Sequence, residues 1–75
     1  MNTYWVVKDI YGWRLHFIER NGETFLGDRD GEDGWFTLFD GLQVAYRAIE
    51  ASRAHYGAQS TTIGIDKWTV EEFGG

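Results

Sequence analysis

The sequence predicts an α+β fold: a three- to four-stranded antiparallel sheet with one amphipathic helix packed on one face, in the order β-β-β-α-β. Three observations carry that prediction. Apolar and polar residues alternate early in the chain, Asn21-Gly22 interrupts that region with a hairpin signal, and from Leu38 onward the apolar period lengthens to that of a helix. A single helix laid over one face of an antiparallel sheet is the simplest way to bury both apolar surfaces. With 75 residues there is room for one small domain, residues 1–75, burying only about 60% of the surface its unfolded form exposes. Cysteine is absent, so no disulfide or thiolate zinc site assists, and the core alone must hold the fold.

Each element has a local reason. Residues 4–8, with Tyr4, Trp5, Val6 and Val7, form a strand-like run, and Asp9-Ile10-Tyr11-Gly12 reads as the turn that follows it. Beyond the turn Trp13, Leu15 and Phe17 alternate with Arg14 and His16, the period of a strand with one wet face. Asn21-Gly22 suits a type I′ turn because both residues tolerate positive φ, and residues 23–27 return as a third strand. The helical stripe is Leu38, Leu42, Ala45, Tyr46, Ile49 and Tyr56, with Gln43, Arg47 and Glu50 opposite. Thr37 and Asp40 have the spacing of a capping box, although Gly41 weakens a start there, and Gly57 suits a left-handed C-terminal cap. Residues 61–70 read as β again, with Ile63 and Ile65 on one side and Asp66-Lys67 as an interruption.

Four Trp, four Tyr and five Phe, each able to bury about 150–250 Å², are more than one helix on one sheet face can readily hide. Trp13, Leu15, Phe17, Tyr46 and Ile49 are expected in the core, with Trp5 or Trp68 covering an edge. Trp35-Phe36 differ. Together with Leu38-Phe39 they make a nearly unbroken run of large apolar side chains that cannot all face one core, so one of them is expected to anchor a contact.

Beside that run, residues 28–34 hold Asp28, Asp30, Glu32 and Asp33 with a single Arg29 and two glycines, which marks an acidic loop. Three readings of it compete. The plainest is a solvated connection. A calcium loop would explain the alternating spacing of Asp28, Asp30 and Glu32, but Asp33 stands where an EF-hand needs glycine and Phe39 where it needs glutamate. The third reading is that these carboxylates, with Glu71 and Glu72, offer phosphate-like charge to a basic groove on another protein, while Trp35 and Phe36 supply the desolvated anchor.

Other chemistries find little support. Twelve acidic residues against seven basic give a net charge of -5, the wrong sign for a protein that binds phosphates or anionic lipid. Lys8, Arg14, His16 and Arg20 make at most a short basic strip, expected to pair with Glu19, Glu23 or Asp66 across the sheet. His16 and His55 lie on different elements without metal-ligand spacing, and Ser52 beside His55 lacks the strained turn or oriented base a nucleophile needs. Neither catalysis, nor a metal, nor another cofactor is expected. No apolar run reaches the roughly 20 residues of a membrane span, and the first residues carry no basic n-region, so the expected location is cytoplasmic.

In size, acidity, lack of cysteine and proline, and the Asp28 to Asp33 cluster beside Trp35-Phe36, the chain resembles the small phage-encoded counter-defence proteins, the anti-CRISPR proteins among them. The resemblance implies a stoichiometric inhibitor, in the host bacterial cytoplasm, that occupies the nucleic-acid groove of an immune nuclease or surveillance complex. It carries over no residue roles. With a charge of -5, contact through one local patch is expected rather than mimicry of a whole duplex. The expectation is therefore a non-enzymatic module that meets a basic protein surface with Asp28, Asp30, Glu32, Asp33, Trp35, Phe36, Glu71 and Glu72. The alternative is a small structural or regulatory homodimer with an aromatic interface.

Overall fold

A computed structural model of the chain describes residues 3–27 and 36–74 and shows an α+β architecture. In chain order these are β1 (Tyr4–Lys8), β2 (Phe17–Arg20), β3 (Glu23–Leu26), α1 (Leu42–Tyr56), a 3-10 turn (Gly57–Gln59), α2 (Ser60–Ile63), a second 3-10 turn (Ile65–Lys67) and β4 (Thr69–Phe73). The strands form two antiparallel ribbons instead of one sheet, β1 with β4 and β2 with β3.

In the first ribbon Tyr4 lies opposite Phe73, Val6 opposite Glu71 and Lys8 opposite Thr69. The expected turn after β1 is present: the Asp9 carboxylate accepts from the amides of Tyr11 and Trp13, both at 2.9 Å, and Gly12 takes a positive φ of 86°. The chain then returns along β1 only as a thin seam. Lys8 bridges to Arg14, the Leu15 amide donates to the Val7 carbonyl at 2.9 Å, and Phe39 exchanges two 2.8 Å bonds with Trp5. β1 is thus the central strand, flanked by β4 on one edge and by residues 13–15 and 39 on the other. In the second ribbon Asn21 (φ 56°) and Gly22 (φ 82°) make the turn their sequence predicts, pairing Phe17 with Leu26 and Arg20 with Glu23.

Helix α1 covers these ribbons with a face of small residues. Ala45, Ala48, Ile49 and Ser52 are buried, and Tyr56 packs against the core they form with Val7, Leu15, Phe17, Phe39, Ile65 and Trp68. Leu42 and Tyr46, expected on that stripe, flank it and are exposed, as is Leu38 before the helix. The helix N-cap is Gly41, with no side-chain cap. Thr37, expected to cap, instead uses its hydroxyl to accept from the Phe17 amide at 2.7 Å and donate to the Phe17 carbonyl at 3.3 Å. Gly57 ends α1 with φ 55°, its amide bonded to the Arg53 carbonyl. The β-branched run 61–63 is helical and not a strand, and closes with Gly64 in the left-handed region. The last strand therefore begins only at Thr69.

Trp13 and Tyr46, expected inside, are exposed; Leu15, Phe17 and Ile49 are in the core. Trp68 joins them there, edge-on to Phe17 at 6.0 Å, and Trp5 packs against the same cluster. Gly27, whose amide donates to the His16 carbonyl at 2.9 Å, is closely approached: a Cβ there would lie 2.9 Å from Ile18 Cγ2 and 3.3 Å from His16 Nδ1. Gly27→Ala is expected to cost about 1–3 kcal/mol, the range for overpacking, because Ile18 Cγ2 sits on a β-branched Cβ whose χ1 is stiff. Urea unfolding with an unchanged midpoint would contradict this.

Candidate partner-binding surface

The surface singled out by the sequence begins where the core stops, on the face of the β1–β4 ribbon turned away from α1. Strand alternation puts Tyr4, Val6 and Lys8 of β1 on that face beside Thr69, Glu71 and Phe73 of β4. Val6 is nonetheless fully buried, outside the main core cluster. A small aromatic cluster stands on the same face. The Phe36 and Phe73 rings meet edge-on at 5.4 Å, and the Arg14 guanidinium lies 5.1 Å from the centroid of Phe36 and 5.4 Å from that of Phe73. The cation of Arg14 thus lies over ring faces while the residue stays exposed. Next to the cluster Lys8 reaches Glu71 at 3.2 Å, a diagonal cross-strand pair.

Phe36 is held by its neighbour. The Thr37 amide donates to the Leu15 carbonyl at 3.1 Å while the Thr37 hydroxyl clasps Phe17. On the other side of the acidic segment Gly27 is tied to His16. Both flanks of residues 28–35 therefore attach to one short run, residues 15–17, at the border of this face.

Of the eight residues expected to meet a partner, Asp28, Asp30, Glu32, Asp33 and Trp35 lie outside the described residues. Phe36 and Glu71 are brought onto one face through Phe73. Glu72, one residue along β4, is opposite Trp5 and points to the other side; both glutamates are exposed. The basic residues are placed opposite partners across strands, Arg20 as expected and Lys8 and Arg14 with others. Lys8 pairs with Glu71, Arg14 with two rings, and Arg20 sits opposite Glu23 in the β2–β3 register.

One feature escaped the sequence reading. Ile10, Tyr11 and Trp13 stand exposed at the β1 turn, Tyr11 at 83% and Trp13 at 53%, on a loop stiffened by the Asp9 carboxylate. The signal was available: side chains inside a tight turn have no layer to bury them, whatever their hydrophobicity.

Ser52 is wholly buried, its hydroxyl donating to the Ala48 carbonyl at 2.8 Å and accepting from the Leu26 amide at 2.9 Å, so both valences are spent on structure. Among the described residues no group of three or more His, Asp or Glu is placed to hold a metal ion, and no helix is long and apolar enough to cross a membrane. Compared with models of protein families, with curated proteins and with solved structures, the chain matches none.

Proposed function

We propose that the protein is a non-enzymatic acidic module that binds, and thereby blocks, a basic surface of a partner protein in the cytoplasm. The basic surface is of the kind that otherwise holds nucleic acid, as in the bacterial defence complexes that phage inhibitors target. The observation that supports this most directly is the join between charge and rings. Residues 28–33 carry four carboxylates, and Phe36, three positions further along the sequence, is packed against Phe73 two residues from Glu71. Charge of this kind accelerates encounter and selects the partner, and a packed aromatic edge beside it supplies area that loses water on contact.

Capture from a bacterial lysate, followed by binding of the purified partner over a salt series, tests the reading. Affinity should fall steeply as the Debye length shrinks from about 30 Å at 0.01 M to about 8 Å at 0.15 M ionic strength. Replacing Asp28, Asp30, Glu32 and Asp33 together with Asn or Ser should produce the same loss at low salt, and unchanged affinity of that variant would discard the proposal.

A second reading is favoured by the exposed Tyr11, Trp13, Leu42 and Tyr46: a homodimer with an aromatic interface. Sedimentation separates the two, because an apolar dimer forms without any partner and barely responds to salt.

A further inference from the structure

We propose that the outer edge of β4 is a docking edge for an extended basic segment of the partner, which adds to the β1–β4 ribbon as a further strand and sets consecutive Lys or Arg residues against Glu71 and Glu72. The proposal rests on the acidic-module reading and names the geometry by which this face would take its partner. It starts from the phase of hydrogen bonding along β1. Trp5, Val7 and Asp9 spend their backbone groups on Phe39, Leu15 and Trp13. Alternation then aims those of Tyr4, Val6 and Lys8 at β4, where they meet Phe73, Glu71 and Thr69. The backbone N–H and C=O of Val70 and Glu72 consequently point away from β1, to the open side.

The other edges are attended in greater part: β1 on both sides, and β2 and β3 at Phe17 and Leu26, though not at Glu19 and Thr24. β1 lies between β4 and the seam of residues 13–15 and 39. At the outer edge of β2 the Thr37 hydroxyl bonds both backbone groups of Phe17. At the outer edge of β3 the Leu26 amide donates to Ser52 and the Leu26 carbonyl accepts from the Tyr56 hydroxyl at 2.8 Å. Among the described residues no such partner stands along β4. An unattended edge is a template for strand addition, and natural proteins leave one open where an extended peptide is to be bound.

Charge identifies the occupant. Glu71 and Glu72 are exposed, and being consecutive they project from opposite faces of the ribbon. A second copy of this chain is disfavoured: the two-fold antiparallel register that overlaps the whole strand sets Glu71 against Glu71 of the other copy, and like charges directly opposed destabilise a strand pair. An incoming strand with two adjacent basic residues places one beside each glutamate. The first must share the Glu71 carboxylate with Lys8, beside Arg14, so the stronger charge contact is the second, which meets Glu72 on the side of Trp5.

The test is a nuclear magnetic resonance titration of the full chain with a short acetylated peptide of sequence Thr-Val-Lys-Arg-Val-Thr. The amides of Val70 and Glu72 should shift and exchange more slowly, while those of Thr69 and Glu71, already bonded to β1, keep their exchange rates. Glu72→Gln should weaken binding about threefold through the lost cross-strand pair. Glu72→Pro, which also removes an outward N–H without touching the β1 ladder, should abolish it. Shifts confined to residues 28–36 would overturn the edge proposal and leave the acidic-module reading standing. No shift anywhere would overturn both. Equal binding of a peptide with Gln in place of Lys and Arg would remove the charge argument and with it this occupant, and a peptide-free dimer that already protects the two amides would show the occupant to be a second copy.

Discussion

Phe17→Ala is expected to destabilise the protein by about 3–5 kcal/mol, the range for truncating a buried Phe. Phe17 is nearly inaccessible and sits at the centre of the aromatic core, edge-on to Phe39 at 5.3 Å and to Trp68 at 6.0 Å. Those two contacts join the seam beside β1 to the segment that leads into β4. Removing the ring therefore opens a cavity between elements that have few other means of holding together. At about 0.05–0.15 kcal/mol per residue a domain of this size has roughly 4–11 kcal/mol in total, so the variant is expected to be largely unfolded at room temperature or to melt tens of degrees lower. Thermal melting followed by near-ultraviolet circular dichroism would check it. A melting temperature within a few degrees of the parent would show that Phe17 does not bridge the two ribbons.

Ser52→Ala is expected to cost about 1–3 kcal/mol, far more than a serine on a helix surface, because it orphans the Leu26 amide where water has little access. The mechanism makes a second, sharper statement. The Tyr56 hydroxyl donates to the carbonyl of the same residue, so α1 fastens both backbone groups of Leu26 and stands in for a neighbouring strand. Tyr56→Phe alone should cost about 0.5–1.5 kcal/mol, and the double variant should differ from the sum of the single ones by at least about 0.5 kcal/mol. Urea denaturation of all four proteins gives the cycle. Strict additivity would mean that the two side chains do not act as one clamp on β3.

The parts of the fold that local chemistry dictates were readable from the residues. The Asp9 turn and the Asn21-Gly22 hairpin depend on a side-chain acceptor and on positive φ, and both are satisfied within a few positions of the chain. Choices made by packing were not readable. α1 presents Ala45, Ala48 and Ser52 to the ribbons because small side chains let the helix backbone approach β3 closely enough for Ser52 and Tyr56 to reach Leu26. Hydrophobicity favoured Leu42 and Tyr46 for that stripe, but size decided the outcome. Thr37 had the spacing of a cap, yet its hydroxyl is used by the backbone of Phe17, a partner twenty residues away that no local pattern reveals. Residues 61–63 have β-branched side chains and still form a helical turn, a tertiary override of a weak preference. Of the candidate surface, Phe36 and Glu71 come onto one face through Phe73, whose place there requires the pairing of β1 with β4.

That pairing also bears on how the protein is made. The earliest strand finds its ladder partner only in the latest one, with two other strands and all the helical segments synthesised between them. Closing so wide a span carries an entropic penalty before any contact is won, so the rate-limiting step is expected to be slow for so short a polypeptide. On the ribosome, the β4-facing backbone groups of Tyr4, Val6 and Lys8 must wait unpaired until β4 has cleared the exit tunnel, a window in which a chaperone would find them.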